Sequence, residues 1–175
     1  MSRRIVLIRA VNLGGTGRLA MAQWRELAES LGARDVSTYI ASGNMVCTPP
    51  ADTEAFDRAM ERAVEQTFGF FREVISRSRE EVVAALEAHP FEVIEPKYSY
   101  LSFLTAVPAS EAIAKARGLQ TGEDRWEVIG RELHLRYANG AGRPQLKEAA
   151  LGRALGVAGT ARNLNTVRKL IELAL

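Results

Sequence analysis

Several things are scarce in this 175-residue chain, and each scarcity removes a class of protein. Cysteine occurs once, at Cys47, so no internal disulfide can form and a reducing, cytoplasmic setting is expected. Long apolar runs are missing: nowhere do about 18 apolar residues follow one another, and no membrane span or membrane partner is expected. Met1-Ser2-Arg3-Arg4 followed by Ile5 to Ile8 imitates a secretory leader, but Arg9 closes the apolar run too early for that role. Histidine is limited to His89 and His134, which with one cysteine supplies neither a zinc ligand set nor a nucleophile-base pair. No metal and no cofactor are expected.

What is present describes an ordinary ordered globule, 47% hydrophobic and 25% charged. The net charge of +2 is unevenly spread: residues 1–50 carry +3, residues 51–142 carry −5 and residues 143–175 carry +4. Two basic ends around an acidic middle form a positive surface if the ends meet in space, and otherwise are scattered solvated charges.

The run Ile5-Val6-Leu7-Ile8 reads as a buried strand over 4–10, ended by the glycine-bearing Asn12-Leu13-Gly14-Gly15-Thr16-Gly17. Met21, Trp24, Leu27, Ala28 and Leu31 recur at helical spacing up to Gly32. Residues 36–41 and 45–48 read as strands around Ser42-Gly43-Asn44, a tight-hairpin signal. A second helix runs from Phe56 to Thr67 and a strand from Phe70 to Ile75. The order βαββαβ is the split-βαβ, ferredoxin-like plan.

Ser78 and Glu81 form a capping box for a helix that Pro90 stops, and Glu80-Glu81 reads as a solvated helix face. Strand 98–105, helix 110–117 and a hairpin of 126–129 with 133–137 turning at Gly130 then begin the pattern again. Helices over 146–155 and 164–173 complete it, without a clear fourth strand. The expected class is α+β: a ferredoxin-like half over 1–77, a helix and linker over 78–97, and a βαββ half with a helical ending over 98–175, packed on the first as one compact unit.

In the split-βαβ plan the first and second strands run the same way, which brings Asn12 to Thr16 beside Ser42-Gly43-Asn44. Exposed backbone amides, a helix N-terminus and polar side chains at one end suit an anion; turn geometry by itself also explains glycine and asparagine there. The run Gly14 to Arg18 matches neither the P-loop nor the dinucleotide fingerprint, so no nucleotide follows from it. A second cluster is Asn139-Gly140-Ala141-Gly142-Arg143 with Lys147, a cationic clamp ahead of a helix. In a third, Thr160 to Thr166, Asn163 is an N-cap while Arg162 and Asn165 are left for other work. Cys47 reads as a small core residue, His89 as a helix-end residue, and His134 as lying on the polar face of its strand beside Glu132 and Arg136.

Four runs together resemble a bacterial family, domain of unknown function 1697: residues 7–15, 38–44, 139–143 and 160–167. The family pattern has glycine where Ala10 stands, and a small polar residue and a lysine where Pro144 and Gln145 stand. The departure at 144–145 weakens the case for carrying Lys147 over. The resemblance implies an α+β fold and supplies no activity. It favours one shared site over turn geometry, made of Arg9, Asn12, Gly14, Gly15, Ser42, Asn44, Asn139, Arg143, Arg162 and Asn165. The expected function is binding of a small anionic or phosphorylated molecule, chiefly by Arg9, Arg143 and Arg162, by a monomer or homodimer. Catalysis stays open because no general base stands out. Nucleic-acid binding is the alternative, weakened by the lack of an RNP1-like run or a stacking aromatic on the first strand. A protein-interaction or scaffold module is a third reading.

Overall fold

A computed structural model describes residues 2–175 as an α+β protein of two compact units, one running up to Val83 and including Lys169–Leu175, the other Ala84–Arg168. Chain order in the first unit is β1 (Arg4–Ile8), α1 (Met21–Ser30), β2 (Arg34–Tyr39), β3 (Asn44–Thr48), α2 (Thr53–Phe68) and β4 (Val74–Ser78). The sheet is antiparallel in the order β2-β3-β1-β4. The uninterrupted apolar run of β1 fits a central strand. Val6 and Ile8 share a core with Met45, Cys47 and Val74, covered by Trp24 and Ala28 of α1 and by Phe56, Met60 and Val64 of α2. Ile5, Leu7, Val46 and Ile75 on the opposite face are buried too. Cys47 is a core residue, and its burial pushes the thiol up to about 12.

Local chemistry sets most boundaries. Asp52 caps α2 by accepting from Ala55 N at 2.9 Å, and Gly69 ends it in the left-handed conformation. The strand expected from Phe70 begins only at Val74. Phe70 stacks on Phe68 instead, and Arg72 lies over the Phe70 ring while its Nε donates to Ala10 O, so these residues lead into the sheet without pairing.

Helix α3 (Arg79–Glu87) opens with the capping box: Ser78 N donates to Glu81 Oε2 at 2.7 Å and Glu81 N to Ser78 Oγ at 3.1 Å. Glu81 is thus engaged at its own helix start. The second unit continues with a 3-10 turn at Pro96–Tyr98, β5 (Ser99–Leu104), α4 (Ser110–Ala116), β6 (Arg125–Ile129), β7 (Glu132–Arg136), α5 (Glu148–Leu155) and β8 (Gly159–Asn163), before α6 (Leu164–Leu173). Its sheet order, β6-β7-β5-β8, repeats the first unit's plan strand for strand.

Strand β8 corrects the expectation that the second half lacks a fourth strand. Its sequence Gly-Thr-Ala-Arg-Asn has little β propensity and becomes a strand by pairing with β5, Leu101 opposite Arg162 and Phe103 opposite Thr160. Gly159 fits closely there: a β-carbon would stand 2.7 Å from both Leu104 Cδ2 and Ser102 Oγ, and those side chains would have to shift. The core on one face holds Leu104, Trp126, Leu133, Leu135, Leu151 and Leu155. The other face carries Leu101, Phe103 and His134, also buried. His134 therefore does not lie on an exposed polar face. Alternation separates inside from outside only when one face of a sheet is wet, and neither is wet here.

Candidate functional site

At one end of the first sheet three segments are laced together. The β1–α1 loop takes positive φ at Ala10, Asn12, Gly14, Gly15 and Gly17. Asn12 organises it: Nδ2 donates to Leu19 O at 2.9 Å and Ala41 O at 2.7 Å, and Oδ1 accepts from Leu19 N at 2.9 Å. The β2–β3 turn joins through that bond to Ala41 and through Ile8 N donating to Gly43 O. Gly43 is irreplaceable, since a β-carbon would come within 2.5 Å of Ile8 Cγ2. The segment before β4 joins through Arg72 and through Arg9 N donating to Glu73 O.

The first-unit residues of the expected site thus gather at this end, but much of their bonding capacity is engaged. Both amide protons of Asn12 hold backbone carbonyls. Asn44 is buried, donating from Nδ2 to Tyr39 O and Ser42 Oγ at 3.0 Å each. Arg9 lies 3.5 Å from Glu73. Gly14 and Gly15 are exposed at the tip of the loop. Three large apolar side chains stand out at this end, Leu13, Ile40 and Phe71 being 60%, 52% and 48% exposed; the sequence pattern puts Ile40 and Phe71 within strands. Ile40 also holds φ +50, unusual for a β-branched residue.

The second unit builds a pocket at the opposite end of an equivalent plan. Its β7–α5 connection is fastened by Asp124, fully buried, whose carboxylate accepts from the backbone N–H groups of Ala138, Gln145 and Leu146 at 2.7–2.9 Å. Gln145 adds Oε1 as acceptor for Glu123 N, which gives this position a structural use. Gly140 takes a left-handed φ of +84 against the Tyr98 ring, where a β-carbon would stand 3.0–3.4 Å from the ring atoms. The fastened loop leaves a cavity of about 330 Å³ lined by Tyr100, Tyr137, Pro144, Leu146, Lys147 and Glu148, among others. The two tyrosine rings meet edge to face at 5.6 Å.

Burial first, and Glu148 second, raise both phenols above their usual value, so they remain hydroxyl donors across the neutral range. Helix α5 opens at the cavity with Lys147 as N-cap and no side chain capping its first amides. Lys147 thus lines the pocket, while Arg143 and Asn139 lie on the loop that forms it, both exposed.

The third cluster divides. Asn163 caps α6, accepting from Thr166 N at 3.0 Å. Asn165 is exposed on the first turn of that helix. Arg162 is buried on the sheet face opposite Tyr100, donating to Thr160 Oγ1 at 2.6 Å and Ala161 O at 2.9 Å, and burial lowers it to about 10. It points away from the tyrosine-lined cavity.

The two histidines, distant in sequence, meet: His89 Nδ1 and His134 Nδ1 are 3.1 Å apart, with Phe91 edge-on to His89. Neither Nε2 has a hydrogen-bond partner among the described residues. Among those residues no group of three or more His, Cys, Asp or Glu side chains could hold a metal ion, and no helix is long and apolar enough to cross a membrane.

The family model described as protein of unknown function (DUF1697) matches residues 1–134. Among solved structures, the conserved bacterial protein SP0830 from Streptococcus pneumoniae is similar with a TM-score of 0.77 at 20% identity, covering 99% of each chain. This likeness shows the shared fold. A protein assigned provisionally as a glycine cleavage system transcriptional repressor has 13% identity over 91% of this chain and 95% of its own, with a TM-score of 0.24. No curated protein matches.

Proposed function

The chain belongs to the DUF1697 family of proteins of unknown function, and from that premise we propose that it binds a small anionic ligand with a flat body in the second-unit pocket. The observation that carries this reading is the combination lining one cavity: two tyrosines, the ammonium of Lys147 and the uncapped start of α5. Ring edges and Leu146 suit a planar body. Protonated phenols, an ammonium and orphan amides are all donors, as a carboxylate or phosphate requires. Arg143 on the same loop supplies a second cation. Glu148 favours a ligand that carries a hydroxyl or amine beside its anionic group. A volume of about 330 Å³ stands at the small end of ligand sites, so a sugar phosphate or aromatic carboxylate fits better than a dinucleotide. Glu148 is the single carboxylate among the lining residues, which hold no serine, cysteine or histidine for it to activate, and the reading is binding.

Thermal unfolding against carboxylates, sugar phosphates and mononucleotides tests it. A ligand at a hundred times its Kd contributes about 2.7 kcal/mol, raising Tm by roughly 5–10 °C for a chain of this size. The shift should vanish in Lys147→Ala and shrink in Tyr137→Phe. If no small anion moves the transition, the reading fails. A shift given only by oligonucleotides, and lost steeply with salt, replaces it with nucleic-acid binding.

A further inference from the structure

The exposed apolar trio at the loop end of the first unit lies among cations. Leu13, Ile40 and Phe71 accompany Arg9, Arg18 and Arg72, with Glu73 the carboxylate beside Arg9. Arg72 donates from Nε to Ala10 O and from Nη1 to Phe71 O, and meets no carboxylate of the described residues at ion-pair distance. The lacing of these segments by Asn12 and Arg72 holds the apolar side chains at the surface, where they cannot collapse inward. Such a surface, apolar with a cationic rim, takes a segment that is apolar and acidic.

The chain carries one segment of that description. Glu92-Val93-Ile94-Glu95 belongs to no helix or strand, and all four residues are exposed. It is braced at both ends by Pro90 and Pro96, with Glu95 extended at φ −132, ψ 139. Phe91, against His89, roots it. Lys97 offsets part of its charge, 3.4 Å from Glu95, leaving Glu92 with no basic side chain of the described residues at ion-pair distance.

We propose that the loop end of the first unit, around Leu13, Ile40 and Phe71, receives the Glu92–Glu95 segment of a second copy of this chain. Val93 and Ile94 would cover the apolar trio, and Glu92 would face the arginines. The contact joins unlike surfaces, so it adds copies in series unless a ring closes. Its small area makes it weak.

Sedimentation of the full chain over a concentration series tests this. The weight-average mass should roughly double between about 10 µM and about 1 mM, as fits a small interface. Arg18→Glu alone, or Glu92→Lys alone, should abolish the rise, and both positions are exposed enough to spare the fold. An equimolar mixture of the two variants should restore it, because the carboxylate introduced in one copy then meets the ammonium introduced in the other. Ile94→Ser should abolish the rise with charge unchanged. A wild-type chain that stays monomeric throughout overturns the proposal, as does association that both charge reversals leave unmoved or that the mixture fails to restore. Binding of anionic vesicles or oligonucleotides through Arg18 by a strictly monomeric chain would likewise assign the surface to another partner.

Discussion

The two units share one plan and decorate opposite ends of it. In the first, the β1–α1 connection, residues 9–20, is long, rich in positive φ and laced to the β2–β3 turn, while the β3–α2 connection is only residues 49–52. In the second, the β5–α4 connection is a short stretch, residues 105–109, and the elaborated one is β7–α5, residues 137–147. Each elaborated loop is fastened by one side chain. Asn12 does so in the first unit, exposed to solvent; Asp124 does so in the second, with no exposure. A ferredoxin-like sheet fixes where connections emerge, and the residues of each connection decide which end is built up.

Burial sets the size of the largest expected difference. Replacing Asp124 by Ala strands three backbone donors, that of Leu146 buried and those of Ala138 and Gln145 partly so, and should cost roughly 2–4 kcal/mol. Replacing Asn12 by Ala strands groups that water can reach and should cost roughly 1–2 kcal/mol. Amide exchange would sharpen the contrast: Ala138, Gln145 and Leu146 should quicken in Asp124→Ala with Leu19 unchanged, and Leu19 alone should quicken in Asn12→Ala. Equal losses in the two variants would break the comparison.

Acid should separate the units next. Burial, with His89 adding to it, lowers His134 to about 4, so between pH 6.5 and 4 the unfolded chain binds a proton that the folded chain refuses. Stability on this account is complete above pH 6.5 and falls by roughly 2–3 kcal/mol as the pH drops through that window. Asp57 in the first unit works the other way. Its burial, only partly offset by the Ser76 hydroxyl at 2.7 Å, raises it to about 6, so between pH 6 and 3.8 the folded chain takes the extra proton and gains a similar amount. Global unfolding should change little between pH 6 and 4, while amide exchange slows in the first unit and quickens in the second. Asp57→Asn should uncover the loss from His134. A decline equal in both units would refute the assignment.

The smallest effect concerns Ala10, a non-glycine residue that holds φ +52. Glycine adopts this conformation freely, so Ala10→Gly should leave stability unchanged or raise it by up to about 1 kcal/mol, against the loss of roughly 0.5–1 kcal/mol that glycine brings to regular structure. Chemical denaturation reads this directly. A clear loss would mean that the Ala10 methyl contributes packing that outweighs its strain.

Legibility followed the range of the interactions. The βαββαβ order of the first unit, the Ser78–Glu81 capping box, the Asn163 cap and the hairpin at Gly130 rest on neighbours in sequence and could be read there. Strand β8 could not, because Gly159 to Asn163 is extended by its pairing with β5. The start of β4 was displaced for the same reason: Phe70 and Arg72 take partners outside the strand. Of the candidate site, the glycine and asparagine runs were visible, but not how their side chains are spent. Asn12 donates to the Leu19 and Ala41 carbonyls, and Asn44 to the Tyr39 carbonyl and the Ser42 hydroxyl, bonds that no motif announces. Asp124, an unremarked acid before a strand, fastens the loop that shapes the cavity, and Tyr100 and Tyr137 meet across two strands.

The sequence by itself determined the class, α+β with a split-βαβ start, the absence of an internal disulfide, and the places where polar turns would fall. These depend on periodicity, composition and local capping, which act over a few residues. Only the tertiary structure decided that the second half closes with its own fourth strand, that His89 and His134 touch, that Arg162 is buried, and that the cavity belongs to Tyr100, Tyr137 and Lys147. Each of those depends on which strands pair and which faces are covered, and burial changes the chemistry of a side chain without changing a letter of the chain.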